Sequence, residues 1–93
     1  MKRTNDPYLD IVAKHWWHIM RLYLTFEDGR PVMLFDVQEM RVYAYPYAQF
    51  KADLSKRSQR LLERRYNAAS RENKIVVFVR DNEQRKLVSY CLA

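Results

Sequence analysis

Glycine is almost missing from this chain, with Gly29 the single one in 93 residues. That excludes a glycine-rich phosphate loop, whose backbone needs several glycines to close on a ligand. Cysteine is equally scarce, and the lone Cys91 cannot form an internal disulfide. A reducing cytoplasm is the expected compartment, and the opening residues lack the apolar run of a secretion signal. No stretch approaches the roughly 18 apolar residues of a membrane span. Even the run 75–79 ends at Arg80, so no membrane partner is expected. Linkers, internal repeats and low-complexity tracts are also lacking.

Hydrophobic residues make up 48% and charged residues 30%, a balance that supports a folded chain rather than a disordered one. At this length the expectation is one domain, residues 1–93, with a modest core. Acids are outnumbered, at 11 against 17 Lys and Arg. The excess is local. Residues 51–74 hold eight bases and three acids, so five of the net +6 charges fall in that segment.

Asp6 followed by Pro7 reads as an N-cap and first helical residue, and Tyr8, Leu9, Val12, Ala13 and Trp16 recur at helical spacing. A short helix is therefore expected from 7 to about 15. From Trp17 the pattern alternates, with Met20, Leu22, Leu24 and Phe26 on one side, which predicts a half-buried strand. Asp28-Gly29 then predicts a hairpin turn into a return strand over 31–37. A third strand is expected over 40–45, closed by Pro46. The basic helix should start near Tyr47, Asp53 or Ser55 and run to about Arg71, and a second hairpin should span 75–92. The expected fold is α+β, a small antiparallel sheet of four to five strands in the order α-β-β-(β)-α-β-β, with the long basic amphipathic helix packed on one face.

Phe50, Leu54, Leu61, Leu62, Ala68 and Ala69 share a face of that helix, whereas Arg65 projects into it and is expected to snorkel out. At 100° per residue Arg57, Arg60, Arg64 and Arg71 fall within about 60° of one another, a stripe roughly 20 Å long. Arg60 and Arg64 form a like-charge i, i+4 pair, and only Asp53 is placed to offset Arg57. Guanidinium groups grip phosphate through two hydrogen bonds, so the stripe points to nucleic acid. Tyr43, Tyr45 and Tyr47 alternate beside Arg41, and Tyr43 and Tyr45 are candidates for stacking unpaired bases on an uncovered sheet face. The plain alternatives are a solvated helix surface and tyrosines at the core margin. The other functional reading is a protein-interaction module, an acidic partner or a second copy docking on the basic helix or a sheet edge.

Catalysis has thin support. His15 and His18 flank two tryptophans without the further Cys, Asp or Glu needed to complete a metal site. Cys91 lacks a nucleophile motif. A non-enzymatic protein is expected, with neither cofactor nor metal.

Overall fold

A computed structural model describes residues 6–93, and Asn5, just before the expected cap, lies outside them. Asp6 caps α1 (Pro7–Lys14), its Oδ1 accepting from the Tyr8 and Leu9 N–H groups at 3.1 and 3.3 Å. His15, at φ −107°, separates α1 from α2 (Trp16–Thr25). The segment expected to form a first strand is this second helix. Its sequence satisfies both periods, but Trp16, Ile19, Met20 and Tyr23 at helical spacing meet the core, leaving Trp17 84% and Leu24 71% exposed. Asp28-Gly29 consequently lies in the connection from α2 to the sheet rather than in a hairpin, although Gly29 does take the positive φ (+92°) that its residue type suggested.

Four strands follow, β1 (Val32–Asp36), β2 (Arg41–Tyr45), β3 (Ile75–Asp81) and β4 (Lys86–Leu92), with α3 (Tyr47–Ala52) and α4 (Lys56–Glu72) between β2 and β3. Strand order is β2-β1-β3-β4, and β1 pairs antiparallel with β2 and β3 antiparallel with β4. The central β1/β3 pair is parallel, which corrects the expected all-antiparallel sheet. The reason is the connection: antiparallel β2 returns the chain to the end where β1 began, and α3 and α4 leave from and come back to that same end, so β3 enters beside β1 in the same direction.

The chain is α+β, and α4 packs on one sheet face as expected: Leu62 and Ala69 meet Val32, Leu34, Val76 and Phe78. The other face is covered too. Val12 of α1 and Ile19 of α2 bury Met33, Phe35, Val42, Ile75, Val77 and Val79. Buried on both sides, β1 and β3 are continuous apolar runs, whereas β2 and β4 at the edges are half-buried.

The element order α-α-β-β occurs twice, and its hairpins close alike. Asp36 and Asp81 end β1 and β3, each Oδ1 accepts turn N–H groups, and Met40 and Arg85 take left-handed φ of 53° and 55°. Parallel pairing sets these two turns side by side. Gln38 stitches them together, donating from Nε2 to Asp81 Oδ1 at 2.8 Å and accepting from the Asn82 N–H at 2.8 Å.

Candidate nucleic-acid interface

Helix α4 begins where Ser55 Oγ accepts from the Ser58 N–H at 3.3 Å and ends at Asn73, whose left-handed backbone (φ 57°) lets the Lys74 N–H reach the Ala69 carbonyl at 2.8 Å. Both Tyr47 and Ser55, weighed as alternative starts, begin helices, since the chain bends at Asp53 and Leu54. With Leu62 against the sheet, Arg57, Arg60, Arg64 and Arg71 lie about 140–180° around the helix from it, on the side facing away. All four are exposed, and among the described residues none of their side chains makes an ion pair or hydrogen bond. The Asp53 to Arg57 pairing that the spacing allowed does not form among them. Arg65 is also exposed, so its side chain leaves the apolar face as expected. Acids on the helix flanks are already used, Glu63 by Lys51 at 3.2 Å and Glu72 by Lys74 at 3.2 Å. Glu63 thereby raises the Lys51 pKa.

Tyr43 and Tyr45 lie on edge strand β2, on the α3/α4 side of the sheet, because they pair with Leu34 and Val32, which face that layer. Sequence spacing assigned them an uncovered face, but helices cover both faces. They share the α4 side instead. The two rings stack at 6.0 Å, Arg41 sits 5.6 Å over Tyr43, and Tyr45 leans on Phe50 at 5.7 Å. The Tyr43 hydroxyl donates to Glu39 Oε1 at 2.6 Å, which raises its pKa. Tyr47 stacks on Tyr66 at 4.2 Å, and Tyr23, which belongs to α2, accepts from Arg30 Nη1 at 3.1 Å.

Sequence reasoning missed the pair at the carboxyl ends of β1 and β3. Asp36, with a side chain 3% exposed, receives Arg80 Nε and Nη2 on Oδ2 at 3.0 and 2.8 Å and the Glu39 N–H on Oδ1 at 2.9 Å. Burial alone would raise the Asp36 pKa; the Glu39 N–H and the Arg80 guanidinium reverse that and hold it below the usual value. The residues stand far apart in the chain, so no linear motif marks them, and only the polar end of the run 75–79 hinted at Arg80. The same row of the sheet adds Arg41, paired with Asp36 in register.

The histidines separate. His15 lies against Phe35 at 5.0 Å with Nε2 buried and unbonded among the described residues, whereas His18 is exposed. Cys91 Sγ contacts the Arg65 carbonyl at 3.6 Å. Among the described residues no group of three or more His, Cys, Asp or Glu is arranged to hold a metal, and no helix is long and apolar enough to cross a membrane. No protein-family model, curated protein or solved structure matches this chain.

Proposed function

We propose that this chain is a non-enzymatic binding protein that takes nucleic acid on the outer side of α4. One observation carries the reading: four arginines stand in line on a helix face that contributes nothing to the core, with no acid of the described residues drawn to them. Crowding like charges at i, i+4 costs a few tenths of a kcal/mol, a cost that phosphate contact reverses. Tyr43 and Tyr45, on the same side, supply aromatic surface for an unpaired strand. A reducing cytoplasm suits the single thiol.

Fluorescence anisotropy with labelled single- and double-stranded DNA and RNA over a salt series tests this. Four phosphate contacts on duplex DNA give a slope of log affinity against log salt near about −3.6, and the Arg60→Ala/Arg64→Ala variant halves it to about −1.8. A salt-independent signal, or one the double variant leaves unchanged, refutes it.

The second reading is a protein-docking module, favoured by Trp17 and Leu24 standing exposed on α2 and by the unpaired outer edge of β4 among the described residues. Its occupant would be an acidic partner or a second copy of the chain. Light scattering that reports a concentration-dependent dimer, together with absent nucleic-acid binding, would move the assignment there.

A further inference from the structure

Under the last turn of α3 lies a cavity of about 210 Å³ at the carboxyl end of the parallel β1/β3 pair. In open α/β sheets ligands collect outside the carboxyl ends of the strands, at the point where the strand order reverses. Here β1 turns out to β2 on one side and β3 to β4 on the other. Tyr45, Phe50 and Leu87 wall the cavity, and Gln49, Asp53 and Arg80 bring polar groups to it. Cavities for drug-sized ligands run from about 300 Å³ upward, so this one suits a single ring system.

Its polar groups differ in sign and are ready for use. Arg80 is fixed by the buried Asp36 through Nε and Nη2, and among the described residues its Nη1 has no partner, with the side chain 41% exposed. Asp53 is exposed and is not drawn into an ion pair with Arg80 or any other described base. A ligand that uses both groups accepts hydrogen bonds from a guanidinium along one edge and donates to a carboxylate along another, and the Tyr45 and Phe50 rings suit a flat one. Guanine does both, with O6 and N7 as acceptors and N1–H and the 2-amino group as donors. Adenine places an amino donor where O6 would be, and pyrimidines lack N7.

We propose that this pocket binds an unstacked guanine, with Arg80 at the O6/N7 edge, Asp53 at the N1–H and 2-amino edge, and Tyr45 and Phe50 against the ring. It rests on the nucleic-acid reading only if the guanine belongs to a strand. A free guanine nucleotide offers the same ring.

Titration of the ¹⁵N-labelled protein with GMP, AMP and UMP, followed by amide shifts, reads the pocket without using the arginine stripe. GMP shifts amides of Phe50, Asp53, Leu54 and Leu87 with a Kd of about 1 mM or tighter, and AMP and UMP bind about tenfold more weakly or worse. Asp53→Asn, at an exposed residue, keeps the native spectrum and weakens GMP by about tenfold. Absent shifts, shifts indifferent to the base, or an unaltered GMP affinity in Asp53→Asn overturn the proposal. Uridine-rich oligonucleotides carrying one guanine or one adenine then identify the source. A preference for guanine that survives in Arg60→Ala/Arg64→Ala while overall affinity falls supports a strand. GMP binding without such a preference supports the free nucleotide. Should the double variant leave oligonucleotide affinity unchanged while GMP still binds, the stripe reading fails and the pocket stands.

Discussion

Arg80→Met should be costly well beyond what a half-exposed arginine ordinarily implies. The substitution removes both Arg80 hydrogen bonds to Asp36, whose side chain is 3% exposed, and leaves that carboxylate with the backbone N–H groups of the turn at Gln38 and Glu39. A hydrogen bond to a charged group contributes about 1.5–3 kcal/mol, but the 41% exposure of Arg80 means water recovers part of it, so about 2 kcal/mol is the expected loss. Asp36→Asn should cost a similar amount, because it removes the charge Arg80 is oriented on. With both changed there is no stranded partner, and the double variant should lose only about 2.5 kcal/mol, a coupling of about 1.5 kcal/mol. In a domain of this size each kcal/mol moves Tm by about 4–8 °C, so each single variant should melt about 8–16 °C lower. Urea unfolding followed by circular dichroism gives the free energies, and equal m values confirm that the denatured states are comparable. Coupling below about 0.5 kcal/mol would refute the reasoning, since it would make the two residues energetically independent despite their geometry.

Met40 is an exposed non-glycine residue at φ 53°, and Met40→Gly should raise stability by about 0.5–1 kcal/mol, read as a higher urea midpoint. Leu62→Ala opens a cavity between α4 and the sheet at a fully buried position and should cost about 3–5 kcal/mol in the same assay. Asp6, Asp36 and Asp81 all have pKa values held below the usual carboxylate value, Asp6 first by the Tyr90 hydroxyl and Asp81 first by the Tyr8 hydroxyl. The unfolded chain thus binds protons more readily at these sites, so their stabilisation is complete above about pH 4 and is lost as pH falls through the lower folded values. A Tm that stays flat from neutral pH to strong acid would contradict it.

The four strands and the basic helix were legible because each has one dominant signal. Val32 to Phe35 and the run 75–79 are short apolar blocks, and α4 separates Leu62 and Ala69 from its arginines around the helix. Helix α2 was not legible, because the spacing of Met20, Leu22 and Leu24 fits a strand as well as Trp16, Ile19 and Tyr23 fit a helix. Only docking on Phe35 and Val42 decides it. Covering the second face takes α2 together with α1, and a strand in place of α2 would have left much of that face open. For the site, the arginine stripe needed only helical arithmetic. The Asp36 and Arg80 pair needed the parallel β1/β3 register, a long-range fact no local pattern encodes.

The bridge that Gln38 makes between the two hairpin turns also bears on the order in which the chain folds. Each hairpin closes a short loop and can form within about 1–10 μs, whereas β1 and β3 meet only after α3 and α4 have bent the chain back. The Gln38 contacts to Asp81 and Asn82 exist only once that meeting is complete, so they form after the folding barrier has been crossed and are lost before it on unfolding. Gln38→Ala should accordingly accelerate unfolding and leave the folding rate nearly unchanged, and a chevron whose folding arm slows instead would place the joining of the hairpins in the nucleus.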